Sequence, residues 1–122
     1  MFFEYADTGS WTSSTYISNE KDFKNIKFRQ RVARDMSNRS LNVNILGQKI
    51  NMPLALSPIG ICGLQYPNGE ILAAKAAEKK GIPFTLSTMS ICSIEDVAEN
   101  TSKPFWFQLY MMKDRSFMDK LI

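Results

Sequence analysis

Gln108 and Tyr110 stand two positions apart at the end of a short apolar run, Phe105-Trp106-Phe107-Gln108-Leu109-Tyr110. In an extended strand, side chains alternate between faces, so Phe105, Phe107 and Leu109 share one side and Trp106, Gln108 and Tyr110 the other. A carboxamide and a phenol then meet at the strand's C-terminal end. Both need partners if buried, which makes the pair costly as packing and apt for a polar ligand. A surface strand end with a hydrogen-bonded Gln and Tyr accounts for these six residues at least as well. The rest of the chain repeats the pattern, however: Ser57-Pro58-Ile59-Gly60 follows the apolar Leu54-Ala55-Leu56, and Ser87-Thr88 follows Phe84-Thr85-Leu86.

Elements that alternate strand with helix would bring those polar ends to one rim. Leu54–Ser57 reads as a short buried-type strand, and Pro67-Asn68-Gly69-Glu70 starts a helix that runs through Ala73, Ala74, Ala76 and Ala77 to a stop at Gly81 and Pro83. Phe84–Ser87 is the next strand, and Ser93 with Asp96 approximates a capping box for a helix Ile94–Asn100. Pro104 precedes the strand Phe105–Tyr110, and Lys113–Ile122 reads as a last helix. Three strand-then-helix units in succession imply parallel strands joined by right-handed crossovers. Either a doubly wound sheet or the start of a (β/α)8 barrel fits, and in both the ligands gather at the strands' C-terminal ends. Neither GxGxxG nor GxxxxGK[ST] occurs, so no Rossmann or P-loop phosphate site is signalled and the barrel leads.

Ahead of these units the chain opens on a helix-like Phe2-Phe3-Glu4-Tyr5-Ala6 with Gly9 as a stop, as if a preceding part were missing. Trp11–Ile26 suggests a second helix, and Arg29–Ser40 an irregular connection. Leu41–Leu46 alternates, Gly47-Gln48 punctuates and Lys49–Met52 follows, which predicts a hairpin.

At 122 residues the chain is one domain or less, and 44% hydrophobic residues allow a core. With 15 Lys plus Arg against 12 Asp plus Glu, the formal charge of +3 is too mild to argue for nucleic acid. The densest basic stretch, Lys21 to Arg34, is interleaved with Phe23, Ile26, Phe28 and Val32 and reads as an amphipathic segment with a solvated face. Cys62 and Cys92 lack CxxC spacing, no metal motif is present, and two reduced thiols are expected. Without a signal peptide or an apolar run long enough for a bilayer, the expected address is cytoplasmic.

The ordered set of motifs closely resembles the FMN-dependent 2-hydroxy acid dehydrogenases and oxidases, the family of L-lactate dehydrogenases and glycolate oxidases. Its residues here are Tyr5 with Gly9, Leu54-Ala55-Leu56-Ser57-Pro58, Asn68-Gly69-Glu70 with Ala73-Ala74-Lys75-Ala76-Ala77, Leu86-Ser87-Thr88, Ser93–Ala98, and Phe107-Gln108-Leu109-Tyr110 with Lys113-Asp114-Arg115. The resemblance runs almost end to end and implies FMN as cofactor. It implies that Pro58, Ile59 and Gly60 lie along the flavin, Gly60 lacking a Cβ that would obstruct that approach. Ser87 would hydrogen-bond the isoalloxazine edge, and Gln108 would donate to a ring carbonyl while accepting from a ring N–H. Tyr5 and Tyr110 would hold the carboxylate and α-hydroxyl region of a small 2-hydroxy acid. Met89 departs from the pattern where glycolate oxidases carry a tryptophan, which favours lactate-type members.

In the family a histidine takes the substrate hydroxyl proton, a role suited to its pKa. This chain has no histidine. The lysine, histidine and arginine of the family's catalytic set, and its phosphate site, fall on later strands. The expectation is therefore an incomplete barrel of about three β/α units, residues 1–122 being the N-terminal part of one such domain, truncated at the C-terminus and also at the N-terminus. A non-catalytic remnant, or a half-barrel subunit needing a complementary chain or a homo-oligomer, is the alternative. A generic α/β binding module would be favoured if Gln108 and Tyr110 pointed into a packed interior away from Ser87. The electron acceptor stays open among quinone, cytochrome and oxygen, as does peripheral placement at the inner membrane face for a full-length protein.

Overall fold

The structure, a computed structural model, describes residues 2–121, with side chains from Phe3 onward. It divides into two compact units between Asn38 and Arg39.

The first unit holds α1 (Phe2–Asp7) and α2 (Ser14–Lys21), the latter followed by a 3₁₀ turn at Asp22–Asn25. The helix expected over Trp11–Ile26 is shorter at both ends. Trp11 and Ser13 both take φ of 55°, a left-handed conformation that a right-handed helix cannot include. At the other end the backbone tightens into the 3₁₀ turn and Ile26 is extended. Neither α2 nor the 3₁₀ turn buries a residue, and the segment after them is irregular, as expected.

The second unit begins with a hairpin of β1 (Val43–Ile45) and β2 (Gln48–Ile50), antiparallel with Val43 opposite Ile50. Leu46 and Gly47 form its two-residue turn, both with positive φ, the conformation that matches the strands' twist. Gln48, expected as punctuation, therefore pairs with Ile45 inside β2. Asn51 N–H then donates to Gly81 O at 2.9 Å and its Nδ2 to Lys80 O at 3.0 Å, tying the hairpin to a helix end.

The repeating part follows as α3 (Cys62–Gln65), α4 (Gly69–Lys80), β3 (Thr85–Ser87), α5 (Ile94–Glu99), β4 (Trp106–Gln108) and α6 (Arg115–Leu121). Gly81 ends α4 in the left-handed conformation, its N–H reaching Ala77 O and Glu78 O. The capping box of α5 is complete: Asp96 N–H donates to Ser93 Oγ at 3.0 Å and Ser93 N–H to Asp96 Oδ2 at 2.9 Å. Ile122, the expected end of the last helix, lies outside the described residues.

β3 and β4 are parallel, pairing Thr85 with Trp106, Leu86 with Phe107 and Ser87 with Gln108. The strand expected at Leu54–Ser57 contributes one parallel bridge, Leu56 to Phe84. Leu54 N–H turns back to Met52 O at 2.7 Å, so the ladder forms only around Leu56, whose N–H meets Pro83 O at 2.9 Å. Likewise Tyr110 leaves the expected Phe105–Tyr110 strand, because its N–H goes to Thr88 Oγ1 at 3.1 Å. The parallel order Leu56, β3, β4, with helices between, is the α/β alternation read from the sequence. Among the described residues the sheets are small and no barrel closes.

The core lies between this sheet and its helices. Leu86, Phe84 and Val97 are buried with Ala74 and Ala77 of α4, whose small side chains let the helix approach closely, and Phe105 and Phe107 pack against them. The Phe84 and Phe105 rings meet at 6.3 Å. With Phe105, Leu86 and Phe107 turned to the helices, Ser87 and Gln108 are left for the other face.

Candidate functional site

Ser87 and Gln108 end neighbouring parallel strands in register, so their side chains emerge side by side. Ser87 is 3% exposed. Its Oγ donates to Gln108 Oε1 at 3.2 Å and accepts from Met89 N–H at 3.1 Å. Gln108 Oε1 is thereby engaged, while its Nε2 donates to no protein group among the described residues. Thr88 reinforces the join: its N–H donates to Gln108 O at 3.1 Å, its Oγ1 donates to the same oxygen and accepts from Tyr110 N–H. The Gln108 side chain thus turns toward Ser87, and the generic-module alternative loses its condition.

The segment after Leu56 reaches the same rim. Pro58 and Ile59 are exposed and Gly60 half-buried. Ile61 N–H donates to Met89 O at 2.8 Å, which holds this segment against the residues that follow β3. A Cβ placed on Gly60 would lie 3.5 Å from Met89 Cβ and 4.0 Å from Ser87 Oγ, ordinary van der Waals distances. Packing within the protein therefore does not demand glycine there, and such a Cβ would project toward the Ser87 hydroxyl. The Tyr110 phenol, beyond the strand, is 52% exposed. Tyr5, on α1 of the first unit, is 68% exposed and is described with that unit.

Glu70 escaped the sequence reading as a functional residue. An acidic side chain in a helix's first turn is ordinarily solvated and satisfied by the helix dipole. Here it is 2% exposed. Its Oε1 accepts from Gly63 N–H at 2.9 Å and Ile91 N–H at 3.0 Å. Oε2 is buried without a hydrogen-bond partner of good geometry, with the Cys92 thiol, a weak donor, beside it. Burial alone raises the Glu70 carboxyl, but the N–H groups of Ile91 and Gly63, its own N–H and the Cys92 thiol bring it below the ordinary carboxylate value. Burial first, and the Glu70 carboxylate with it, push the Cys62 and Cys92 thiols up. Both cysteines are free. A signal for Glu70 could only have come from its neighbours Gly63 and Gly69, whose lack of side chains permits close approach.

A cavity of about 110 Å³ opens among Ser57, Ile59, Cys62, Glu70, Thr85 and Ser87. A larger one, about 330 Å³, lies between the hairpin and the opposite, N-terminal ends of the strands, where Asn51 and Glu78 are already paired with Lys80 O and Ser102. The polar strand ends thus sit away from the larger space. Among the described residues no cluster of His, Cys, Asp and Glu is arranged to hold a metal, and no helix is long and apolar enough to cross a membrane.

Parallel β/α units with hydroxyl and carboxamide groups at their C-terminal ends define a class that the comparisons with known proteins narrow. The profile of the FMN-dependent dehydrogenases matches residues 1–122, and the chain belongs to that family of oxidoreductases. It is similar to the L-lactate dehydrogenase of Vibrio parahaemolyticus, 51% identical over 122 residues, which cover 100% of this chain and 32% of that protein. The L-lactate dehydrogenase of Haemophilus influenzae is 51% identical over 118 residues, covering 97% and 31%. The chain thus spans about a third of the length of the curated relatives it matches. Among solved structures, a soluble mutant of the membrane-associated (S)-mandelate dehydrogenase from Pseudomonas putida superposes with a TM-score of 0.84 at 38% identity, covering 91% of this chain and 32% of that one. A mandelate oxidase with (S)-4-hydroxymandelic acid gives 0.87 at 30% identity, covering 98% and 33%.

Proposed function

We propose that this chain is the N-terminal portion of one incomplete (β/α)8 barrel domain and forms the flavin-facing wall of an L-2-hydroxy acid dehydrogenase that converts L-lactate to pyruvate. The observation that carries this is the Ser87 to Gln108 hydrogen bond at the C-terminal ends of adjacent parallel strands, with Gly60 set against Ser87. Lactate is favoured by the 51% identity to L-lactate dehydrogenases and by Met89, a flexible thioether at the rim.

The residues suit FMN on their chemistry. Gln108 keeps two N–H donors for a ring carbonyl, and Ser87 fixes which way the amide faces. Pro58, Ile59 and Gly60 offer exposed or half-open backbone, and Gly60 leaves the space that a Cβ would fill toward Ser87. What FMN supplies when bound is a two-electron acceptor that returns electrons to a quinone, a cytochrome or oxygen. Tyr110, half-exposed beside Gln108 in sequence, and Tyr5 present phenol hydroxyls for the substrate's carboxylate and α-hydroxyl. They bind and orient. The placement is cytoplasmic, with peripheral attachment to the inner membrane face a property of a longer protein.

A second reading is a non-catalytic remnant or a half-barrel subunit with a complementary chain. A downstream reading frame supplying a lysine, a histidine and a nearby arginine would count against it.

The test is a titration of the isotopically labelled chain with FMN and with riboflavin, followed by NMR. Both flavins are expected to shift the Gln108 side-chain amide and the Gly60 and Ser87 backbone signals alike, because the contacts are to the ring. Saturating flavin that leaves these three signals in place would refute the assignment.

A further inference from the structure

We infer that Glu70 is a positioning residue: its carboxylate ties the segment after Leu56 to the segment after β3 and so sets the spacing between Gly60 and Ser87. The two N–H groups on Oε1 belong to different strand-following segments, Gly63 in α3 and Ile91 beyond β3, and the carboxylate itself starts α4. Three pieces of chain thus meet at one oxygen pair. Two residues back along each segment, Ile61 N–H donates to Met89 O and joins the two directly, and Met89 N–H is held by Ser87 Oγ. A chain of contacts therefore runs from Glu70 through Ile91 and Met89 to Ser87, and from Glu70 through Gly63 and Ile61 to Gly60.

A carboxylate placed only to complement a helix dipole would stay in water, where it costs nothing to keep charged. Glu70 is instead covered, and no Lys or Arg pairs with it among the described residues. Its charge is compensated by backbone N–H groups and the weakly donating Cys92 thiol, an arrangement that is lost if either segment moves away. The fit is close: a Cβ on Gly63 would fall 2.9 Å from Glu70 Oε2 and 2.8 Å from Ile91 Cβ, so only glycine lets the two segments approach. The titratable groups facing the carboxylate are the thiols of Cys62 on α3 and Cys92 before α5, both pushed toward the neutral form. The carboxyl's own pKa is lowered in the folded state. Its contribution is accordingly present above the ordinary carboxylate pKa and lost as pH falls through the lowered one.

Its meaning for the site rests on the flavin reading above, but the tie is measured without flavin, so the two fail separately. The experiment is amide hydrogen exchange on the 122-residue chain, wild type beside Glu70→Ala and Glu70→Gln. Glu70→Ala is expected to speed exchange at Gly63, Ile91 and Ile61 by about tenfold or more, the scale of one lost hydrogen bond. Trp106 N–H, bonded to Phe84 O at 2.8 Å within the sheet, should keep its protection. Glu70→Gln retains one acceptor oxygen and should restore part of the protection while abolishing any titration. In the wild type, the Gly63, Ile91, Ile61 and Met89 amide signals should move together through one acid transition. Unchanged exchange at Ile61 in Glu70→Ala, or loss spread equally to Trp106, would overturn the assignment. Should Glu70→Ala not fold, wild-type Ile61 and Met89 signals that ignore the Gly63 transition would overturn it as well.

Discussion

Ser87 does two jobs with one oxygen, and its neighbours cannot replace it. Its Oγ accepts the Met89 N–H and donates to Gln108 Oε1 in a setting only 3% exposed. Replacing it with alanine strands a backbone donor and frees the amide of Gln108 to flip, so its orientation toward any ligand is no longer fixed. Ser87→Ala is expected to destabilise the chain by about 1–3 kcal/mol, the cost of an unsatisfied buried group, read as a lower urea midpoint with an unchanged slope. Ser87→Thr, which keeps the hydroxyl, should recover part of the loss. A midpoint equal to wild type in Ser87→Ala would mean that water reaches Met89 N–H and that the hydroxyl does not organise the rim. At this scale the sequence was informative for Ser87 and Gln108, because a polar side chain closing an apolar strand is visible in the residue order. Glu70 was not legible: its burial follows from Gly63 of α3 and Ile91 beyond β3 closing over it, and its own helical turn does not distinguish it from the solvated glutamate usual there.

Elements were legible where a single side chain sets the boundary. Ser93 and Asp96 announce the start of α5, and Gly81 the end of α4, because caps act within a few residues. Ser93→Ala is expected to cost about 1 kcal/mol, since α5 has only six residues and loses the acceptor for Asp96 N–H. Its partner responds to acid: the hydrogen bonds from Ser93 hold the Asp96 carboxyl below its usual value. The stabilising effect is present above the unfolded-state pKa and fades as pH falls through the lowered one. The difference in midpoint between wild type and Ser93→Ala should therefore shrink in acid, which a series of thermal melts checks; a constant difference would exclude the reciprocal box. Strands were overestimated for a complementary reason. Apolar runs such as Leu54–Ser57 and Phe105–Tyr110 propose how far a ladder could extend, but its length depends on where partners are found, and Met52 O and Thr88 Oγ1 divert the N–H groups of Leu54 and Tyr110. In the hairpin the positive φ values at Leu46 and Gly47 place the turn one residue earlier than expected, because leucine gives no sequence signal for a left-handed conformation.

At the scale of the whole chain, a wall of binding groups is distinct from a catalytic centre. The flavin-facing residues proposed here bind and orient, whereas oxidising a 2-hydroxy acid also requires a group that takes the hydroxyl proton near neutral pH. Histidine is the side chain whose ordinary pKa suits that work, and the 122 residues contain none. The described carboxyl groups with resolved shifts, Glu70 among them, lie lower than usual and would be weak bases, and both thiols lie higher. A general base contributes about 10²–10⁴-fold, and orientation of substrate on the flavin cannot substitute for it. The 122-residue chain on its own, supplied with FMN and L-lactate, is therefore expected to show no lactate-dependent dye reduction above the flavin-only control, even at flavin concentrations that shift the Gln108 amide. Turnover should appear only when a polypeptide carrying a histidine, together with lysine and arginine, completes the parallel sheet beyond β4. Steady lactate-dependent reduction by the purified chain alone would mean that one of its own groups serves as base.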